Sequence, residues 1–587
     1  MARVHRLESS VIDRIAAGEV VEKPASAVKE LVENALDANA SRITVEVDGG
    51  GIERILVRDD GSGMSAEDAR LALERHATSK ISSDADLARV ASYGFRGEAL
   101  PSIASVSKLT LTTSDGTSPT GEAIRLTIDY GGKVEEDLAA RPRGTDVLVE
   151  GLFARTPARR KFLSSPEAES RAIAQVVTKA ALGNPAVAFS LRSNGRETLD
   201  APAAVDRGAR ILQVFGRDTL GEIDLFEAKS GALRLVGYAT RGSVTFPTRR
   251  LQFLFVNGRP VEDRAISRAI GQASKDAIRT DRHPAVFLFL TAEPGAVDVN
   301  VSPGKTQVRF ADSATAFRLV YHALNSALLA GKEERRLRSV PVPPAETTTG
   351  TATGSEVAEG GSGYVDLLPG GSPVGVPNLP RQTPAPTPVP PPEERKIPDI
   401  VPIGQHRESF ILASGPEGLL IIDQHAAHER TLYERIRDRI ASGRVLSQRL
   451  LLRVLFEATP EESETLAARY EDLSAAGFEM EPMSGRSWAI AALPAEATDR
   501  EPAEMVRTAL AALADTGSAD EVLRRDKLSA SVACRSAVTI RYHLAPEEIR
   551  HLIGDWAKTR DRFTCPHGRP VVLSMTEEEL EKYFKRR

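Results

Sequence analysis

The chain has 587 residues, too many for one hydrophobic core and enough for roughly three or four domains. Its 41% hydrophobic and 27% charged residues are those of a soluble globular protein, and no apolar run reaches the ~18 residues of a membrane span. Lys+Arg 76 against Asp+Glu 81 leaves a net charge of −5, so bulk charge does not announce a nucleic-acid binder, while two cysteines, Cys534 and Cys565, exclude a disulfide framework and fit the cytoplasm.

The first strong element is ASAVKELVENALDAN, Ala25 to Asn39. At 100° per residue, Val28, Leu31, Val32, Ala35 and Leu36 share one side, the stripe of a core-facing helix. Glu30, Glu33, Asn34 and Asp37 share the other, with no Lys or Arg among them. Most polar helix faces are simply solvated, but a purely acidic one repels itself unless a cation sits against it. Carboxylates and an amide beside a nucleotide phosphate would suit Mg²⁺.

Ile43, Val45 and Val47 then alternate with polar residues, Gly49-Gly50-Gly51 turns the chain, and Ile55-Leu56-Val57 returns, which predicts a hairpin. It ends at Asp59-Asp60-Gly61-Ser62-Gly63, an acidic strand end followed by glycines that let backbone approach a ligand. A helix is predicted over 65–76, followed by His76-Ala77-Thr78-Ser79-Lys80 and Gly94-Phe95-Arg96-Gly97-Glu98-Ala99-Leu100. A lone glycine pair is as often a turn as a phosphate cradle. Three such elements within 100 residues of an acidic helix say more together.

ELVENALDANA, DDGSGM, RHATSK and YGFRGEALPSIASV resemble, in order, the nucleotide-binding motifs of the GHKL ATPases in their MutL mismatch-repair form. GLFARTPARRKFL (Gly151–Leu163), FVNGRPVEDR (Phe255–Arg264) and DVNVSPGKTQVRF (Asp298–Phe310) resemble later signatures of that family. The resemblance implies ATP and Mg²⁺ as ligands, with Glu30 as general base and Asn34 as the magnesium ligand. It implies Asp59 as acceptor of the adenine amino group, Gly63 at the ring, and Thr145 as a second adenine-side contact. It places Thr78, Ser79, Lys80, Gly94, Arg96 and Gly97 in a lid over the phosphates, where backbone N–H groups and a guanidinium suit a polyanion. Gly304-Lys305-Thr306 looks like part of a P-loop, but that motif wants Gly at 299, where Val stands. The resemblance instead puts Lys305 on a second domain, reaching the γ-phosphate.

Residues 215–335 mix strand-like runs, Leu251–Val256 and Ala285–Leu290, with helical stretches, and relatives carry an S5-like α+β domain here. Arg264, Arg268, Lys275 and Arg279 give the helix near 263–278 a basic side. Such faces usually meet only solvent; the resemblance favours DNA. From Pro341 to Pro392 the composition shifts, with thirteen of the 36 prolines in 52 residues, which predicts a disordered linker spanning about 40–45 Å.

Globular character returns near 398, with strands expected at Ser409–Leu412 and Gly418–Ile422. Asp423-Gln424-His425-Ala426-Ala427-His428-Glu429-Arg430 opens a helix running through Glu434, and His425 and Glu429, four apart, share a face. Such pairs are usually surface pairs. Cys565-Pro566-His567 adds a thiolate and an imidazole, so a His/Glu/Cys/His set for Zn²⁺ or Mn²⁺ can be assembled. DQHAAHERTLYE resembles the endonuclease motif of those MutL proteins that nick DNA, with ACRSAV, CPHGRP and KYFKRR as companions. The resemblance implies Asp423, His425, Glu429, Cys565 and His567 at the metal, with Glu434 and Cys534 nearby. Gln448-Arg449-Leu450-Leu451-Leu452 resembles the family's sliding-clamp motif, with Arg453 where proline is usual.

The expected architecture is α+β multidomain. A GHKL ATPase α/β sandwich spans 1–210, an S5-like transducer 211–335, the linker 336–397, and an α+β dimerisation and endonuclease domain 398–587. The expected protein is a cytoplasmic homodimer that binds DNA, the mismatch-recognition protein MutS and the replicative sliding clamp, and no membrane. The alternative class is a non-catalytic matchmaker that uses ATP to connect partners while another enzyme cuts.

Overall fold

The computed structural model describes residues 21–75, 77, 98–118, 121–241, 244–275, 278, 282–298, 307–338, 400–416, 418–443, 445–497, 501–514, 521–537 and 542–586. Thr78, Ser79, Lys80, Gly94, Arg96, Gly97, Arg279 and Lys305, and residues 339–397 of the predicted linker, lie outside them, while its first three residues, 336–338, are helical.

The opening helix, α1 (Pro24–Asp37), forms as its periodicity requires, with Pro at its start where the missing N–H costs nothing. Val28, Leu31, Val32 and Ala35 are buried and Leu36 packs partly against the same core. Each Val or Leu so buried contributes about 1.5–3 kcal/mol. They face an eight-stranded sheet built from β1 (Arg42–Asp48), β2 (Arg54–Asp59), β3 (Lys108–Ser114), β4 (Glu122–Asp129), β5 (Glu135–Ala140), β6 (Gly144–Glu150), β7 (Ala188–Ser193) and β8 (Arg196–Ala201). Its order is β5-β4-β3-β6-β2-β1-β7-β8, antiparallel except for the β1–β7 pair. The predicted hairpin is β1–β2, with Val45 opposite Val57 and Ile43, Val45 and Val47 all inward. The helix expected over 65–76 is shorter, Ala66–Leu71, capped by Ser65, whose hydroxyl accepts from the Asp68 N–H at 3.1 Å.

Two further helices cover this sheet, α2 (Ala99–Val106) and α3 (Pro166–Gly183), and α3 packs directly on α1. After α4 (Arg207–Phe215) comes a five-stranded sheet, order β12-β11-β13-β10-β9. Its strands are β9 (Ile223–Ser230), β10 (Leu233–Thr240), β11 (Gln252–Val256), β12 (Arg259–Pro260) and β13 (Val286–Ala292). The two apolar runs read as strands are β11 and β13, paired in parallel, with Phe255 stacked on Phe289 at 4.8 Å. The basic stretch is α5 (Arg264–Lys275), whose Arg264, Arg268 and Lys275 are exposed. A short pair, β14 (Val297–Asp298) and β15 (Arg309–Phe310), and the long α6 (Ser313–Arg338) complete this α+β unit.

The C-terminal unit has two parts. Four strands, β16 (Val401–His406), β17 (Phe410–Gly415), β18 (Gly418–Asp423) and a late-arriving one, make an antiparallel sheet. Helix α7 (Gln424–Ser442) leaves β18 directly and runs beyond the expected Glu434. A three-stranded sheet of β19 (Ser447–Glu457), β20 (Glu479–Pro482) and β21 (Ser487–Pro494) packs with α8 (Pro460–Ala475) and α9 (Pro502–Ala514). The chain returns through α10 (Glu521–Ser536) and α11 (Pro546–Ala557) to β22 (Val572–Thr576), which pairs with β18. No helix among the described residues is long and apolar enough to cross a membrane.

Candidate functional site

The glycine-rich loop after β2 is tied to the end of α1, since Ser62 N–H donates to the Ala38 carbonyl at 2.9 Å. The two adjacent aspartates do different work. Asp60 accepts from the Ser41 and Arg42 N–H groups, both at 2.8 Å, and from the Ser41 hydroxyl. Its burial is outweighed by these donors, which hold it below the ordinary carboxylate range. Asp59 accepts the Gly61 N–H on its side chain, at 2.8 Å, and burial pushes its carboxyl up against the pull of that amide, Arg141 and the Thr145 amide. Gly63 sits at φ +66°, and a Cβ there would lie 1.8 Å from the Ser114 carbonyl oxygen, so only glycine fits. Thr145 stands opposite Asp59 in the β2–β6 register. Its hydroxyl lies 3.1 Å from that of Thr113, which also receives the Met64 N–H at 3.0 Å. Asp59, Gly63 and Thr145 therefore converge, and α1, carrying Glu30 and Asn34, packs on the same β2. Thr113 is the member of this group that periodicity did not single out.

One expectation about α1 is corrected. Its acidic face is not without a base: Lys29 lies 3.2 Å from Glu30 and 3.0 Å from Glu33. Burial works against the Lys29 charge, but Glu33 and Glu30 outweigh it and hold the ammonium above the ordinary lysine range. Lys29 sits beside the acidic stripe and reaches it along a flexible stem, which helical spacing does not reveal. Acidity of this face alone is thus no argument for Mg²⁺.

In the C-terminal unit the structure gathers Glu429, Cys534 and His567, whose ligand atoms lie within 4.8 Å of one another. Glu429 projects from α7, Cys534 comes from α10, which packs along α7, and His567 from the turn before β22. That turn is closed by Cys565 N–H to the Arg569 carbonyl at 2.8 Å and Gly568 N–H to the Cys565 carbonyl at 2.9 Å. His567 Nδ1 approaches Glu429 Oε1 to 2.7 Å, and that oxygen is fully buried. Burial opposes the Glu429 charge, but His567 and both cysteines together hold its carboxyl below the ordinary range. Burial pushes the Cys565 thiol up, with Glu429 adding to it.

The other expected ligands are arranged differently. Cys534, expected only nearby, stands in the cluster; Cys565, 2% exposed, lies beside it, its Sγ 3.4 Å from the His567 N–H. Asp423 caps α7, accepting the Ala426 N–H at 3.0 Å, because a carboxylate ending a strand immediately before a helix meets the helix's open N–H groups first. His425 stands near His428, which burial, with Arg435 and His425 alongside, pushes down to about 4. Neither Asp423 nor His425 joins the three-residue cluster. Glu434 accepts the Arg560 N–H at 2.8 Å and the Asp561 N–H at 3.3 Å, holding the loop that leads to Cys565.

Comparison with known proteins assigns each unit. Residues 22–144 match a family profile described as histidine kinase-, DNA gyrase B- and HSP90-like ATPase. Residues 211–329 match the DNA mismatch repair protein C-terminal domain, and 403–544 the MutL C-terminal dimerisation domain. DNA mismatch repair protein MutL of Koribacter versatilis is 34% identical over 100% of both chains. That of Trichlorobacter lovleyi is 39% identical over 99% of both. The chain belongs to the MutL family of DNA mismatch repair proteins. A solved MutL ATPase domain of Aquifex aeolicus complexed with ADP is 28% identical, covering 47% of this chain and 94% of that one, at TM-score 0.37. The MutL-family assignment identifies the N-terminal unit as a GHKL ATPase domain and the C-terminal unit as a dimerisation domain.

Proposed function

We propose that this MutL-family protein uses ATP binding and hydrolysis to couple mismatch recognition to repair, and that it nicks DNA itself at the Glu429–Cys534–His567 cluster. The gathering of a buried carboxylate, a thiol and an imidazole from three separate elements, with ligand atoms within 4.8 Å of one another, carries the nicking reading. Carboxylate, thiolate and imidazole together suit Zn²⁺ or Mn²⁺, which Glu429, Cys534 and His567 would hold, with Cys565 beside them; the family resemblance adds His425 and Asp423. Bound there, the metal would polarise a phosphodiester and lower the pKa of its water.

At the other site, Asp59 accepts the adenine amino group, Gly63 admits the ring, and Thr145 flanks it. Glu30 takes the proton of the attacking water, and Lys29 holds its carboxylate in place meanwhile. Asn34 supplies a hard amide oxygen suited to Mg²⁺ on the triphosphate. The family resemblance assigns the phosphates to Thr78, Ser79, Lys80, Gly94, Arg96, Gly97 and Lys305. Exposed Arg264, Arg268 and Lys275 serve DNA phosphates. MutS delivers the mismatch signal. The sliding clamp takes the β19 irregularity between Arg449 and Val454, where Leu451 and Leu452 are 99% and 78% exposed and Arg453 turns aside to Glu481.

A supercoiled-plasmid assay with Mn²⁺ tests the nicking. Wild-type protein is expected to nick, and Glu429→Lys and Asp423→Asn to abolish nicking with ATP turnover intact. Asn caps a helix as well as Asp does, so the second change removes charge and spares α7. No nicking, or nicking that survives Glu429→Lys, would leave the matchmaker reading.

A further inference from the structure

The C-terminal unit does not hang free of the ATPase unit in this structure; α8 lies against α3. The seam is mostly polar. Glu464 of α8, 8% exposed, accepts the Thr198 hydroxyl at 2.6 Å and the Ser193 hydroxyl at 3.1 Å, both from the β7–β8 edge. Arg250 meets Glu461 at 2.8 Å, Arg486 donates to the Val214 carbonyl at 2.6 Å, and Arg282 pairs with Glu504. Packing along the seam is incomplete, leaving a cavity of 50 Å³ between Leu251 on one side and Thr465 and Leu510 on the other.

These features describe a contact that can open. Hydroxyls, carboxylates and guanidinium groups find water when separated, so opening costs little at these polar contacts. Glu464 is held by two neutral hydroxyls, with Arg196 and Arg171 acting only at longer range, and burial pushes its carboxyl up. The docked state therefore carries a desolvation cost that separation removes. The segment between the units, read from its composition, reaches about 40–45 Å, enough to let one leave the other and return.

What the contact joins gives it significance. On one side, α3 is sandwiched between α8 and α1, the helix of Glu30 and Asn34. On the other, α8 packs on α9, α9 on α10, and α10, which carries Cys534, on α7, which carries Glu429. We propose that α8 is a reversible docking element that seats the C-terminal unit on α3 and the β7–β8 edge of the ATPase unit, so that one unbroken series of packed helices runs from Glu30 to Glu429 only when it is docked. This goes beyond the nicking reading and does not depend on it.

The test uses the full-length protein, small-angle scattering and thermal melting. Glu464→Lys, Arg250→Glu and Glu461→Arg should each enlarge the radius of gyration while the melting profile stays that of folded protein. The double reversal Arg250→Glu/Glu461→Arg should bring the radius back toward wild type. Overturning results are an unchanged radius in all three single variants, enlargement that the double reversal does not relieve, or unfolding of the single variants. The last would make the seam an obligate core rather than a docking contact.

Discussion

Asp59→Asn separates ligand recognition from folding. The Asp59 carboxylate has two oxygens, and Oδ1 is already taken by the Gly61 N–H at 2.8 Å. On the proposed reading, the carboxylate's remaining acceptor capacity serves the adenine amino group. Asparagine has only one acceptor oxygen, so the variant must give up either the turn or the base. A hydrogen bond to a charged group contributes about 1.5–3 kcal/mol, which at 1.4 kcal/mol per tenfold predicts ATP binding weakened roughly 10- to 150-fold. Stability should move the other way. Burial holds the folded-state carboxyl above its ordinary value, so its stabilising contribution is full below the unfolded value and is lost as pH rises through the folded one. At pH 7.5 the charge opposes folding, and removing it should leave the melting temperature of the nucleotide-free protein equal or higher. The same shift means that acidification protonates Asp59 early. Wild-type ATP affinity should begin to fall at a pH above the ordinary aspartate range, and the variant's should not follow. Calorimetric titration across pH, with melting curves alongside, measures both. Affinity within about threefold of wild type, or loss of affinity together with a lowered melting temperature, would refute the assignment.

Glu30→Ala should abolish ATP turnover while leaving nucleotide binding within a few-fold, measured by phosphate release and titration; unchanged turnover removes Glu30 as base. Leu573→Asp should dissociate the dimer expected from the C-terminal domain, read by sedimentation equilibrium. Leu573 is 63% exposed on the outward face of the β16-β17-β18-β22 sheet, in register with Ile421 and Leu412 and opposite the buried Ile411, Ala413 and Ile422. With only the exposed 63% of each left to bury, losing two such leucines forfeits about 2–4 kcal/mol, before the penalty of burying a charge, and a dimer of unchanged affinity would place the interface elsewhere.

Elements with one strong period were legible before any coordinates. The α1 stripe and the β1–β2 hairpin are each specified by apolar spacing that only one secondary structure can bury. The parallel pairing of β11 with β13 was not, because two uninterrupted apolar runs say that both are buried without saying which neighbours which. The short helix after Ser65 shows another limit. Its cap was readable, but its end was not: the chain turns after Leu71 even though Leu73 still packs partly against the core.

The two sites differ in legibility for a physical reason. Asp59, Gly63 and Thr145 are brought together by one sheet, so their meeting follows from strand register, and a glycine at positive φ against a carbonyl leaves a mark in the sequence. The metal-type cluster draws Glu429, Cys534 and His567 from three elements spread over 138 positions, and helical spacing sees only one of those elements. Spacing on α7 pairs Glu429 with His425, yet the structure turns Glu429 toward α10 and the Cys565 turn, since that is where α7 is packed and its carboxylate buried. Spacing also cannot tell a ligand from a cap: Asp423 meets the open end of α7, and Glu434 meets the amides of Arg560 and Asp561. Backbone N–H groups compete for carboxylates wherever a helix or loop begins, and local donors are reached before distant ones. A motif dense in acids and histidines can therefore mix residues placed to hold an ion with residues that hold the surrounding scaffold, and only packing sorts them.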